Sequence, residues 1–404
     1  MESSKRWDWY REHTPAARES VYLNAGWSGP MTDVVSGAMH AYLDAELMAG
    51  PTRRDHFDKR VAMREAYREN AAKVLGAPVD GVTITSNTTD GLNVVLSGLP
   101  LNEGDRVLST TIEHPSGTVP LYWTRERAAT EVEWLKLTAE DSNAAIVDRF
   151  ASRIDRRTRL VLLSHISFAT GQLLPLREIA EVAHRAGAQV LVDGAQTAGH
   201  LPLDMEAMGA DFYAIPMHKW MCGPSGLGAL YIRPELIPMV QPQRTSGRGA
   251  ESWDYEGGFV PAHADIKKFE TGTLSTVSVA GANAAIEQYL ESGPEAVFNR
   301  VIELTRHAET RFAKIPGFEL ASPAREEART GLFAFRLDGI DALLAAPQLQ
   351  RNHRIVCRSV RTENAIRLSL HVYNNEADIE AAAAAVEALL RDGLEESPDA
   401  GPAD

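Results

Sequence analysis

Apolar and polar positions along this chain fall into a repeating order of short strands and longer helical stretches. Between residues 82 and 232 the strand-like segments are Val82–Thr85, Arg106–Thr110, Glu131–Leu137, Leu160–Leu163, Ala188–Asp193, Asp211–Ile215 and Gly228–Ile232. Helical spacing predicts helices over Thr89–Leu99, Ser116–Ala129, Asn143–Arg153 and Leu176–Ala186 in the intervals. Apolar runs of this length, alternating with helices, predict a mostly parallel sheet covered on both faces. Gly228–Ile232 follows a Gly-rich turn and is expected to run antiparallel. The pattern is that of an α/β fold with a mostly parallel seven-stranded sheet.

The flanks read differently. Residues 1–20 alternate charged and aromatic positions and predict a helical arm. Val21–Asn24 is a short strand, broken by Gly26, Gly29 and Pro30, and helices are expected over Asp33–Met48 and Phe57–Leu75. Residues 233–270 are rich in turn residues and predict long loops. Beyond them come an Ala-rich helix over Val277–Ser292, a long helix to Ala313, strand-like segments at 331–337, 354–360 and 365–370, and a final helix over Glu376–Leu390. This second register predicts a smaller C-terminal α+β domain. The expected division is therefore an N-terminal arm at 1–20, a large domain at 21–275, a small domain at 276–394, and an acidic, Pro- and Ala-rich disordered tail at 395–404.

Composition narrows the partners. The 404 residues carry a formal net charge of −14, which argues against nucleic acid, whose phosphates reward clustered Lys and Arg. No apolar run approaches the length of a membrane helix, and the N-terminus has no apolar leader core, so no membrane partner and a cytoplasmic location are expected. The two cysteines, Cys222 and Cys357, are too few for a disulfide framework and lack metal-ligand spacing, so no metal is expected.

The candidate chemistry lies at strand ends. The apolar run Val190–Val192 stops at Asp193, and Phe212–Ile215 leads to His218, Lys219 and Trp220. Parallel strands place such residues at one sheet edge, where open α/β folds build their sites. A desolvated lysine amine is a nucleophile toward an aldehyde, and a carboxylate can keep a pyridine nitrogen protonated. The pair suggests pyridoxal 5'-phosphate (PLP). Thr85–Gly91 joins a strand to a helix through hydroxyl residues, a form suited to a phosphate. His114 follows another strand at the same edge, where an imidazole can stack on a flat ring. Each feature alone has a plainer reading: Lys219 as a surface residue in a turn, Asp193 and the 85–91 segment as helix caps, and His114 as a structural surface histidine.

Taken together, TSNTTDG, EHPSG, SHISFATG, VDGAQ, HKWMCGPSG, FETGT and IRLSLHVYN resemble the class V aminotransferase family of fold type I PLP enzymes. They are most similar to its branch of cysteine/cystine C–S lyases and isopenicillin N epimerase-like proteins. The resemblance runs from about Tyr22 to Leu390. It implies that Lys219 is the Schiff-base lysine and proton shuttle, that Asp193 binds the ring nitrogen, and that Gln196 reaches the ring hydroxyl. His114 would stack on the ring. Asn87, Thr88, Thr89 and His218 would surround the phosphate, and Thr273 would donate to the phosphate of a neighbouring subunit, which implies a homodimer with shared active sites. Arg367, with Arg358 near it, would pair with the α-carboxylate of an amino-acid substrate, a contact suited to a planar guanidinium.

Two departures from the desulfurase pattern bear on the reaction. Phe168 stands where that branch carries an Asn, so an aromatic group enters the pocket. The interval from Arg361 to Arg367 holds only TENAI, with no persulfide-carrying Cys. The implied reaction is α,β-elimination that cleaves the Cβ–S bond of cysteine, cystine or an S-substituted cysteine. Aminotransfer, epimerisation and oxidative decarboxylation–deamination on a specialised amino acid, such as an S-conjugated cysteine of a natural product, share the same machinery. Phe168, Trp27, Arg244 and Tyr255 are the residues expected to steer among them.

Overall fold

Seven strands build the central sheet of the computed structural model, which describes residues 3–395. They are β1 (Val82–Thr85), β2 (Arg106–Thr110), β3 (Glu131–Leu135), β4 (Thr158–Ser164), β5 (Gln189–Asp193), β6 (Phe212–Pro216) and β7 (Gly228–Ile232). Their spatial order is β1-β7-β6-β5-β4-β2-β3. The neighbours β2/β3, β2/β4, β4/β5 and β5/β6 are parallel, while β7 runs antiparallel to both β6 and β1. The mostly parallel sheet and the antiparallel β7 are as the apolar pattern predicts.

Burial explains why the pattern is legible. Leu160, Val161, Leu162 and Leu163 in β4, and Val190, Leu191 and Val192 in β5, are fully buried. Strands apolar on both faces require cover on both, at about 1.5–3 kcal/mol for each large side chain removed from water. One face packs with Val35, Tyr67, Ile146, Phe150 and Ile179, the other with Leu92, Leu96, Leu121 and Phe269.

The second core belongs to the C-terminal α+β module. Its four-stranded antiparallel sheet has the order Phe318–Leu320, Leu332–Leu337, Ala365–Ser369, Arg358–Val360. Phe312, Phe333 and Phe335 cluster with Leu349, Ile379 and Val386 behind it.

Packing redraws the expected boundaries at two points. Helix Thr276–Ser292, expected to open the small domain, buries Val279, Ala282, Ala285 and Ile286 in the core of the large sheet. It packs on the helices Asp33–Ala49 and Arg54–Leu75. Conversely, Val21–Tyr22, expected in the large domain, pairs in parallel with Ile355–Val356, and Leu23 lies in the C-terminal core. We therefore place the division by packing after Ser292, with the segment at 21–23 belonging to the C-terminal module. Neither fact is readable from amphipathic period, because an Ala-rich helix fits either core.

Three smaller differences are local. The N-terminal arm is two helices, Ser3–Glu12 and Pro15–Glu19, divided where Pro15 can begin a helix but not continue one. The loop region holds a hairpin, Ala250–Trp253 with Phe259–Pro261, whose turn is tied by the Glu256 and Gly258 N–H groups donating to Asp254 Oδ1. Strand-like 354–360 is two short pieces separated at Cys357. The expected disordered tail, apart from Glu395, lies outside the described residues.

Candidate active site

Parallel strands end on one side, so the site is assembled from the carboxyl ends of five strands. β1 leads to Asn87–Thr89, β2 to Glu113–His114, β4 to Ser167–Phe168, β5 to Asp193, and β6 to His218–Lys219. Register sets the last stage: Ser164 lies opposite Asp193, and Asp193 opposite Ala214. The C-terminal module contributes Arg367 and Arg358, cross-strand neighbours on two antiparallel strands.

Asp193 is buried, and its Oδ1 accepts from the Ala195 N–H at 2.9 Å. Burial raises its proton affinity above the ordinary carboxylate range, and the nearby Lys219 charge opposes the shift. Burial likewise pushes the Lys219 ammonium down to about 8; Asp193 resists this, while Arg367 and Arg358 reinforce it. The result is an amine that is partly neutral near physiological pH, which is what nucleophilic attack on an aldehyde requires.

The backbone around Lys219 is locked. The Gly29 N–H donates to His218 O at 2.8 Å, and a Cβ on Gly29 would lie 2.1 Å from Lys219 O. Only glycine allows that approach. On the other side Trp220 is buried and stacked on His200 at 3.8 Å, and its carbonyl accepts from His371 Nε2 at 2.6 Å. Burial pushes His200 to about 3 and His371 to about 4, so both rings are neutral and act as fixed hydrogen-bonding braces. Neither histidine is singled out by the sequence pattern.

Gln196 is part of the same lock. Its Nε2 donates to Gly26 O at 2.9 Å and its Oε1 accepts from Trp220 Nε1 at 2.8 Å. One N–H of the amide remains for a ring hydroxyl. Ser167 is buried and its hydroxyl caps the Thr170 N–H.

The phosphate-binding expectation can be tested on orphaned polar atoms. Thr88 Oγ1 and His218 Nδ1 are buried without a hydrogen-bond partner among the described residues. Such groups cost about 1–3 kcal/mol each unless satisfied, and here they accompany the N-terminus of helix Thr88–Gly98. Donors of this kind fit an anion. Burial, with Lys219 adding to it, lowers the proton affinity of His218. Thr89 is half-buried in the first turn. The Asn87 side chain works locally and caps the helix, Oδ1 accepting from the Asp90 N–H at 2.9 Å. Asp90 pairs with Arg244.

Arg367 is fully buried, donates through Nη1 to Phe168 O, and leaves Nε and Nη2 without partners among the described residues. Burial pushes it down to about 9, with the Arg358 charge adding to the effect. Two adjacent guanidiniums repel, so the pair fits an anionic ligand such as a carboxylate. Arg358 stacks over Trp27 at 4.6 Å. His114 caps its own helix, Nδ1 accepting from the Ser116 N–H at 3.1 Å, and meets the Phe168 ring edge-on at 4.9 Å. Phe168 therefore links His114 and Arg367, its ring meeting the first and its carbonyl accepting from the second.

Two expected residues lie apart. Thr273 is exposed on the segment before helix Thr276–Ser292, where Glu270 anchors the chain by accepting from Arg64, Arg68 and the Ile84 N–H. Tyr255 is 96% exposed at the hairpin turn, against Trp253, and is not brought to this chain's site.

Residues 21–382 match the model of the aminotransferase class-V family. A probable cysteine desulfurase of Methanothermobacter thermautotrophicus is 30% identical over 402 residues, covering 96% of this chain and 96% of its own. An isopenicillin N epimerase of Streptomyces clavuligerus is 31% identical over 393 residues, covering 91% of this chain and 94% of its own. Among solved structures, the cystine C–S lyase C-DES in complex with its reaction product cysteine persulfide superposes with a TM-score of 0.87 at 28% identity, covering 93% of this chain and 99% of that one.

Proposed function

Because the chain belongs to the class-V aminotransferase family and is a PLP-dependent enzyme, we propose that it cleaves the Cβ–S bond of cysteine, cystine or an S-substituted cysteine by α,β-elimination. The observation that carries this reading is the connection between strands Arg358–Val360 and Ala365–Ser369. It is a tight turn, Arg361–Asn364, with Val360 paired to Ala365. It has no cysteine and no length to carry a sulfur to Lys219. Burial raises both thiols, Cys222 and Cys357, to about 12, so neither supplies a thiolate acceptor. Relatives that act on sulfur amino acids support the substrate class; the missing acceptor favours elimination over sulfur transfer.

Bound PLP supplies an electrophilic carbon for the substrate amine and a conjugated ring that accepts the electron pair released at Cα. Lys219 would hold the cofactor through its amine, and Nζ would be the group that takes the substrate's Cα proton. Asp193 keeps a proton on the ring nitrogen. Thr88, Thr89 and His218 hold the phosphate, His114 covers the ring face, and Gln196 and Ser167 serve its hydroxyl. Arg367 would pair with the substrate α-carboxylate through Nε and Nη2, unpartnered among the described residues. In the overall balance the Cα–H and Cβ–S bonds of the substrate break, the sulfur leaves with a proton, and one water is taken up to give pyruvate and ammonia.

Product analysis with cysteine, cystine and a panel of cysteine S-conjugates tests the proposal. Pyruvate and the sulfur product are expected in equal amounts: hydrogen sulfide from cysteine, a persulfide from cystine and a thiol from an S-conjugate. Alanine as the carbon product, stoichiometric pyridoxamine formation, or racemised substrate without pyruvate would each overturn it in favour of sulfur transfer, aminotransfer or epimerisation.

Two further results follow from the same residues. Arg367→Lys keeps the charge but loses the planar fork. KM should rise by roughly 10- to 150-fold, the equivalent of about 1.5–3 kcal/mol, with kcat little changed. A variant with unaltered KM would remove Arg367 from carboxylate binding. Second, the cofactor-free protein should capture PLP at a rate that follows the neutral fraction of Lys219. Its proton is lost as pH rises through about 8. Uptake should climb about tenfold from pH 6 to pH 7 and level off above about pH 9. An uptake rate still rising at pH 10 would mean that the amine keeps its ordinary value near 10.5.

A further inference from the structure

We propose that Glu113 is a positioning residue for this site: a second buried carboxyl behind Asp193 whose ionisation sets how much negative charge is offered to the ring nitrogen of the cofactor. The inference rests on the cofactor reading of Asp193 and goes beyond it to a carboxyl that touches neither cofactor nor substrate in that reading.

The geometry begins with strand order. β2 and β4 are neighbours, and β4 and β5 are neighbours. Glu113 follows β2 and is only 7% exposed. One of its carboxyl oxygens accepts from the Thr110 hydroxyl, and the other accepts from Ser164 Oγ at 2.6 Å. Ser164 is the last residue of β4 and stands in register opposite Asp193. A single serine thus joins the Glu113 carboxyl to the strand end that carries the ring-nitrogen acid. The next residue, His114, caps the following helix and meets Phe168. Glu113 therefore sits between the ring-stacking and ring-nitrogen positions, out of reach of solvent.

A hydroxyl can donate to a carboxylate or accept from the protonated acid, so the Thr110–Ser164 clamp serves either state. Burial lifts the Glu113 carboxyl to about 7; the two hydroxyls oppose this, and the Asp193 charge adds to it. The other groups facing this region are Lys219 beyond Asp193, His165 next to Ser164, Tyr213 and His114. Burial holds His165 near 4 and raises the Tyr213 phenol, which hydrogen-bonds to His165 Nδ1 at 2.8 Å, so both stay neutral across the working range. Below pH 7 one carboxylate faces the ring nitrogen. Above it, a second negative charge stands behind the first. Like charge at this range strengthens the hold of Asp193, and of the ring nitrogen, on a proton.

The effect belongs on kcat rather than KM, because Glu113 lies on the ring-nitrogen side and Arg367 holds the substrate. Carbon-13 NMR of carboxyl-labelled, cofactor-free protein should show the Glu113 resonance titrating near pH 7. In Asp193→Asn the midpoint should fall by about one pH unit. In the holoenzyme, kcat should change by roughly three- to tenfold between pH 6 and pH 8, in step with the visible cofactor band. Glu113→Gln, which keeps the hydroxyl clamp, should flatten both profiles at unchanged KM. A Glu113 midpoint near the ordinary carboxylate range, or one indifferent to Asp193→Asn, would overturn the proposal. So would a pH step that survives in Glu113→Gln. If the Gln variant does not fold, the NMR comparison alone decides. The NMR arm needs neither cofactor nor substrate, so its failure is separable from failure of the lyase reading.

Discussion

Lys219→Ala is expected to lower kcat/KM by about 10⁴-fold or more and to remove the visible band of the protein–cofactor complex, while leaving the fold intact. On the proposed reading one side chain is both covalent anchor and Cα base, so its loss removes two separate contributions. Lys268, the other lysine whose ammonium burial pushes down to about 8, is tied to Ile237 O and His263 O at 2.7 Å each. The backbone that carries Lys219 is held by Gly29, Gln196, Trp220 and His371, not by the lysine's own side chain. The melting temperature should therefore change little. Absorbance spectroscopy on the purified variant, with steady-state kinetics, gives the answer. More than about a tenth of wild-type turnover would mean that Lys219 is not the base.

Asp193→Asn is expected to reduce kcat by about 10³-fold with KM nearly unchanged. The substitution is isosteric, and the Asn carbonyl can still accept from the Ala195 N–H. What is lost is the negative charge. Breaking a buried charge pair costs about 3–5 kcal/mol, and each 1.36 kcal/mol is tenfold in rate. The charge matters only while the ring nitrogen carries a proton, so the loss falls on the chemical step and not on substrate capture. Cofactor retention should weaken as well, measured by dialysis against cofactor-free buffer. A kcat within threefold of wild type would show that the ring nitrogen does not depend on this carboxylate.

Much of the site is legible in the amino-acid sequence because parallel strands translate chain order into spatial order. Asp193 and Lys219 end buried apolar runs, and buried runs in a parallel sheet end on one side. The helix N-terminus at Thr88 can be read from its cluster of hydroxyl residues after a strand. The resemblance of seven motifs to one family supplies Gln196, His218 and Arg367, which pattern alone does not distinguish from surface residues. Asn87 is legible as a cap, and capping is what its side chain does.

The rest depends on contacts between distant segments. Glu113 sits beside His114 in a motif visible in the sequence, yet only the register of Ser164 against Asp193 gives its carboxyl a place in the site. His200 and His371 do not stand out along the chain and become braces because Trp220 folds between them. The hairpin at 250–261 is hidden because its strands, Ala250–Trp253 and Phe259–Pro261, are too short to show a period, and the Asp254 carboxylate ties its turn.

Local period and composition are enough to fix the order of strands and helices in the large sheet, its mostly parallel character, and the residues stationed at its strand ends. Contacts made in three dimensions settle which core helix Thr276–Ser292 joins, how closely Gly29 approaches the Lys219 carbonyl, and that Arg358 and Arg367 are cross-strand neighbours at one pocket. They also settle how far burial moves the proton affinities of Lys219, Asp193 and Glu113. Desolvation depends on everything packed around a group, and that surrounding is contributed by segments far apart in the chain.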